Sequence, residues 1–189
     1  MNAPGLQLQF DPASARFGAA RSQKRLEVDR LLAGRGLFSD DREFPGQAWL
    51  VVLRAPHAHA RIVSVHLSAV KGAEGVLAAW TMADLRADGV GQIPFPPAFK
   101  RADGSPMAAP PRTPLAEAVV RYVGQPVVAV VAQTRAQAQD GAELALVGYE
   151  DLPCVTDAVA AVAPGAPLVW PEAAGNVAAE ASYGDASVV

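Results

Sequence analysis

With 189 residues and a formal net charge of −3, the chain suits one domain and lacks the basic surplus of a nucleic-acid binder. Hydrophobic residues make up 51% and charged residues 19%, enough apolar material for a core and too much for wholesale disorder. The single cysteine, Cys154, excludes an intramolecular disulfide and leaves no set of thiols for an iron–sulfur cluster or a zinc site.

The longest central apolar run, Pro126 to Ala132, is far too short to span a bilayer, and Asn2 to Arg21 has no apolar signal core. A soluble protein of a reducing compartment, the cytoplasm, is the expectation. Residues 1–25 read as an arm, mildly basic through Arg16, Arg21, Lys24 and Arg25. Residues 26–45 are dense in turn chemistry (Gly34, Gly36, Asp40, Asp41) and suit a compact loop rather than a regular element. Gln47 to Leu53 then predicts a buried strand, ended by Pro56.

Arg61 to Leu67 alternates, with Val63, Val65 and Leu67 on one face and Ile62, Ser64 and His66 on the other. A hairpin through 56–60 would make it antiparallel to the strand before it. Ser68 to Lys71 predicts a helical turn, Val76 to Trp80 a strand, and Thr81 the cap of a small helix through Leu85.

Residues 86–115 differ in kind. Prolines at 94, 96, 97, 106, 110, 111 and 114 and glycines at 89, 91 and 104 exclude a long regular element. Ile93, Phe95, Phe99 and Met107 give this stretch apolar teeth, so it reads as a loop packed on another part of a larger protein.

Val127 to Ala132 has the β-branched run of a strand covered on both faces. Thr134 with Gln137 forms a capping box for a helix whose Ala138, Gly141, Ala142 and Ala145 share a face, and Leu146 to Tyr149 returns as a strand. The expected class is therefore α+β, a mixed sheet with a strand–helix–strand unit. A short helix over Asp157 to Val162 follows. After Ala178 a weak alternation leads to the end of the sequence.

Candidate chemistry is thin. His57 and His59 are two residues apart and could share a metal, but a site needs a third ligand, and only His66 remains. A turn after Pro56 that packs its own polar rings accounts for the pair as well. Asp40, Asp41 and Glu43 lack the spacing of a calcium loop. Cys154, between Pro153 and Val155, reads as a buried inert thiol. No catalytic, cofactor-binding or metal-binding residue is assigned.

The motifs point further than the chemistry does. Arg30-Leu31-Leu32-Ala33-Gly34-Arg35-Gly36-Leu37-Phe38-Ser39-Asp40-Asp41 comes first, followed by Pro56-His57-Ala58-His59-Ala60-Arg61-Ile62. Gly75-Val76 to Asp84-Leu85, Tyr122 to Ala132, Ala142-Glu143-Leu144 and Tyr149-Glu150-Asp151-Leu152-Pro153 come next, in that order. Together they resemble the opening α/β hammerhead domain of the molybdenum-binding large subunit of the xanthine dehydrogenase, aldehyde oxidase and carbon monoxide dehydrogenase family.

The resemblance implies a hammerhead over 26–178 and, over 179–189, the start of a linker toward a cofactor-binding domain beyond this chain. It implies molybdenum pyranopterin, iron–sulfur clusters and FAD in the full complex, with none bound by this chain. The implied partners are the remaining large-subunit domains, an iron–sulfur subunit and a flavin subunit. It also places the proline loop at the border of the substrate funnel, with Ile93, Phe95, Phe99 and Met107 as candidate lining. Gly89-Val90-Gly91-Gln92 is only superficially similar to the family's glycine-valine-glycine-glutamate element and carries Gln where a base needs a carboxylate.

Two readings of function follow. One is a structural and interface domain, or split subunit, of a molybdenum hydroxylase oxidising an aldehyde, an N-heterocycle or carbon monoxide, inactive alone. The alternative is a stand-alone binding module for a small molecule or protein, with the hammerhead fold and no enzymatic activity.

Overall fold

The computed structural model describes residues 25–95, 98–101, 103–181 and 184. The proposed arm, 1–25, falls almost entirely outside the described residues, as does most of 179–189. The chain divides into two units, 1–45 and 46–189.

In the described part of the first unit, helix α1 (Val28–Leu32) forms where a loop without regular structure is expected. Val28 to Leu32 contains no glycine or proline, and the helix closes as Gly34 N–H donates to Leu31 O and Arg35 N–H to Arg30 O. A 3-10 turn at Ser39–Asp41 follows, fastened by the Phe38 N–H donating to Asp41 Oδ2 at 2.9 Å. The paired aspartates are thus turn formers. No described residue of this unit is buried, and Leu26, Leu32, Leu37, Phe38 and Phe44 are exposed.

The second unit carries six strands: β1 (Trp49–Arg54), β2 (Ala60–His66), β3 (Val76–Trp80), β4 (Val119–Val120), β5 (Pro126–Ala132) and β6 (Leu146–Asp151). Its helices are α2 (Ser68–Lys71), α3 (Met82–Ala87), α4 (Arg135–Glu143) and α5 (Ala158–Ala161). The strands form two three-stranded sheets, ordered β1-β5-β3 and β4-β2-β6. Odd strands build one sheet and even strands the other, so consecutive strands never pair.

This alternation corrects two expectations. Residues 55–59 are not a hairpin: β1 pairs with β5 and β2 with β6, all antiparallel. The strand–helix–strand unit β5-α4-β6 exists in sequence, but its strands enter different sheets, so the expected mixed sheet is two antiparallel ones. Pairing is decided by which long-range contacts bury the apolar faces.

The core shows why this arrangement forms. Val127, Val128, Val130, Val120, Ala60 and Val70 are almost fully buried in one cluster that draws on both sheets. Central β5 is covered on its two faces, as its unbroken apolar run requires. On β2 the expected alternation breaks at a bulge between Ile62 and Ser64. Ile62 and Val65 pack on the core while Val63 turns outward, 57% exposed, because one extra residue flips the side-chain phase. The bulge sits against Gly148, where an added Cβ would lie 2.7 Å from Ser64 Oγ.

Helix α4 lies on the β1-β5 surface with Ala138, Gly141 and Ala142 buried. Its N-terminus is a capping box: Thr134 Oγ1 accepts from Gln137 N–H, and Gln137 Oε1 accepts from Thr134 N–H. Thr81 and Asp84 repeat the device on α3. Thr81 N–H and Oγ1–H donate to Asp84 Oδ2 at 2.7 and 2.6 Å. These two bonds hold the Asp84 carboxyl below its ordinary value of 3.8. Its stabilising contribution is therefore complete above that value and is lost as pH falls through the lower folded-state value. Asp84→Asn should cost about 1 kcal/mol at neutral pH and flatten the acid limb of stability, readable by urea titrations at several pH values.

The 86–115 segment holds no regular element beyond the end of α3 and a short β-bridge between Lys100 and Pro106 among its described residues. It is anchored on its own chain: Ala108 N–H donates to Ala178 O, and Glu180 N–H to Lys100 O. Ala108 and Leu115 are buried.

Candidate functional site

Two neighbourhoods gather the motif residues. In the first, the histidine turn meets the end of β6. His57 Nδ1 lies 2.7 Å from Asp151 Oδ1, its ring 4.6 Å from the Tyr149 ring, and His59 Nδ1 lies 2.7 Å from Pro153 O. Leu152 N–H returns a bond to His59 O. A carbonyl only accepts, so His59 carries its proton on Nδ1. The Pro-His-Ala-His and Tyr-Glu-Asp-Leu-Pro signatures, 94 residues apart, are thus the two halves of one clasp.

Tyr149, partly buried in that clasp, has its phenol pushed above the usual range by desolvation. A double-mutant cycle on His57 and Asp151 should return a coupling of about 0.2–1 kcal/mol, since the carboxylate is largely exposed. A coupling indistinguishable from zero would leave His57 held by Tyr149 alone.

Cys154, next to the clasp, is exposed rather than buried. The chain leaves β6 along the surface, so the apolar neighbours Pro153 and Val155 do not enclose the thiol. His66 pairs with Leu146 in the β2–β6 ladder, away from the two histidines of the turn. The described residues contain no group of three or more His, Cys, Asp or Glu placed to hold a metal ion.

The second neighbourhood is a groove of about 670 Å³ walled by the proline loop, the 116–125 turn and Trp170. Ile93, Phe95 and Met107 line it, whereas Phe99 does not. Met107 N–H donates to Phe99 O across the local chain reversal, and Phe99 is 53% exposed. Gly124, at φ +88°, turns the chain between β4 and β5, a conformation in which a Cβ would be strained. Arg121 N–H donates to Gln125 Oε1 across this turn, and Arg54 reaches Gly124 O from β1.

Arginines laid on rings shape the groove. The Arg121 guanidinium sits 3.5 Å from the Trp170 centroid and donates to Val169 O and Val119 O. Arg112 sits 3.7 Å over Phe95, and Arg86 pairs with Glu117 at 2.8 Å. Burial lowers the Arg121 pKa, partly offset by Glu172. The sequence reading singled out neither the arginines nor Trp170. Arg121 stands immediately before the Tyr122 to Ala132 motif, but nothing local says which ring it meets.

The comparisons decide the family. The model for "Aldehyde oxidase and xanthine dehydrogenase, a/b hammerhead domain" matches residues 33–153. The chain belongs to this hammerhead family. It is 36% identical to the nicotine 6-hydroxylase large subunit of Paenarthrobacter nicotinovorans over 93% of this chain and 21% of the relative. With the carbon monoxide dehydrogenase large chain of Afipia carboxidovorans it shares 34% over 87% of this chain and 20% of the relative. A crystal structure of quinoline 2-oxidoreductase from Pseudomonas putida superposes with a TM-score of 0.62 at 37% identity, covering 78% of this chain and 18% of that one.

The chain thus spans about a fifth of the length of the curated relatives it matches. All six described strands lie within the matched segment, and both motif neighbourhoods fall mainly within it. One relative is the xanthine dehydrogenase molybdenum-binding subunit of Escherichia coli O157:H7.

Proposed function

We propose that this hammerhead is a structural and interface domain, or split subunit, of a molybdenum hydroxylase. The complete enzyme would oxidise an aldehyde, an N-heterocycle or carbon monoxide with oxygen drawn from water. The observation that carries this reading is the match over 33–153, joined to relatives that are large subunits of nicotine 6-hydroxylase and carbon monoxide dehydrogenase. This chain supplies no reacting group. Its part is to brace the cofactor domains and to present the 86–115 loop, with Ile93, Phe95, Phe99 and Met107, at the border of the substrate funnel.

Its partners on this reading are the remaining large-subunit domains, an iron–sulfur subunit and a flavin subunit. Molybdenum pyranopterin, iron–sulfur clusters and FAD belong to that assembly, which works in the cytoplasm. No helix among the described residues is long and apolar enough to cross a membrane. The exposed apolar residues of 26–45, where no described residue is buried, support a surface that another domain covers.

The test is co-purification with the products of adjacent genes, followed by molybdenum analysis and dye reduction with aldehydes and N-heterocycles. A molybdenum-containing complex that reduces the dye is the expected result. A chain that elutes alone, metal-free and monodisperse, would sink the assignment in favour of a stand-alone binding module.

A further inference from the structure

We propose that the groove beside the proline loop binds a planar aromatic carboxylate, its flat body against Ile93, Met107 and Tyr122 and its carboxylate on the Arg112 guanidinium, with Nη2 of Arg121 as a further donor. The inference concerns this chain's own groove and stands whether or not the loop borders a substrate funnel.

Charge is the first argument. Three arginines and one glutamate line the groove, a local positive excess in a chain of net charge −3. Glu117 is taken by Arg86 at 2.8 Å. Among the described residues no carboxylate forms an ion pair with Arg112 or Arg121. Arg121 donates to two backbone carbonyls, and Glu172 acts on it only at a distance. A guanidinium that is half desolvated and meets only neutral acceptors is electrostatically incomplete.

Geometry is the second argument. Arg112 and Arg121 each lie flat on a ring, Phe95 and Trp170. Stacking occupies the face of the Arg112 guanidinium and leaves its in-plane N–H fork, the shape that matches a carboxylate, whereas Arg121 gives Nε and Nη1 to backbone carbonyls and keeps Nη2. The remaining walls are mostly apolar, with Gln92, Thr113 and Gln125 among them, Tyr122 56% exposed and no ring stacked on it among the described residues. A volume of about 670 Å³ with mostly apolar walls and two arginines that lack a carboxylate partner suits a small molecule. A peptide bound by strand addition would need a free strand edge, and the strand at this groove, β4, is two residues long.

The probe is 2-naphthoate, with the neutral 2-naphthamide as its control. Both are titrated by calorimetry into the protein as it purifies, alone or with the subunits that accompany it. Saturable one-site binding of the acid is expected, with the amide weaker by about tenfold or more. Arg112→Gln should weaken the acid by a similar factor and leave the amide unchanged. Its fold is checked by circular dichroism, because the Arg112 carbonyl that accepts from Ile93 N–H is untouched.

Tyr122→Ala should weaken acid and amide together, which a purely ionic attraction would not. Equal affinity for acid and amide, no saturation at millimolar probe, or an Arg112→Gln variant that binds as before would each overturn the assignment. Displacement of the naphthoate by a glutamate-rich peptide at lower concentration would also overturn it and give the groove to a protein partner.

Discussion

Gly141→Val should destabilise the second unit by about 3 kcal/mol, the largest effect expected of any one-residue change on α4. A Cβ at Gly141 would lie 2.9 Å from Val76 Cγ2 and 3.3 Å from Val130 Cγ1. Those are branched side chains of β3 and of central β5, and Val130 is fully buried, so neither can swing away. Valine adds two further methyls into the same space. Its better helix propensity returns only a few tenths of a kcal/mol.

Gly141→Ala separates the two contributions. It gains about 1 kcal/mol of helix propensity and brings the Cβ that makes both contacts but not the two further methyls of valine, so it should fall within about 1 kcal/mol of the native chain. For a domain of this size the valine variant should melt roughly 6–12 °C lower. A melting point unchanged by valine would mean that α4 does not sit this close to the sheet.

Asn176→Ala is the second change of large expected effect. Its side chain accepts from Val169 N–H and donates to Ala161 O and to Pro167 O, each at 2.9 Å. Three partners, partly buried, lose their bonds at once, for about 2–4 kcal/mol in total. The residue also sits at φ +58°, the one described non-glycine position with positive φ. Asparagine tolerates that region better than alanine does.

Asn176→Gly isolates the hydrogen bonds, because glycine takes the backbone conformation without strain. If glycine restored most of the stability lost to alanine, the dihedral rather than the three bonds would be the main term. The same substitution has a local readout. Asn176 holds Val169 N–H, while Arg121 donates to Val169 O and lies on the Trp170 ring. Trp170 fluorescence should therefore report a looser groove wall before global unfolding begins.

Much of the local structure was legible in the sequence because its causes are local. The Thr134–Gln137 and Thr81–Asp84 boxes name two helix starts in four residues each, and Asp157 caps α5 through Ala160 N–H. The β-branched run of β5 predicts a strand with both faces covered, and it is. Strand β4 escaped notice, since two residues carry no readable period. The helix α1 did so because Gly34 and Gly36 outweighed the five residues before them.

By itself the sequence determined the α+β class, most element positions and, through the order of its motifs, the hammerhead family. Only the tertiary structure decided which strands pair, that the two histidines fasten on Asp151 and Pro153, and that Arg121 lies on Trp170. Those contacts join residues 48 to 94 positions apart, and their selection depends on which apolar faces can be buried together. Periodicity and turn chemistry act within a few residues and are blind to that choice. The groove, assembled from segments far apart in sequence, was therefore beyond any local reading.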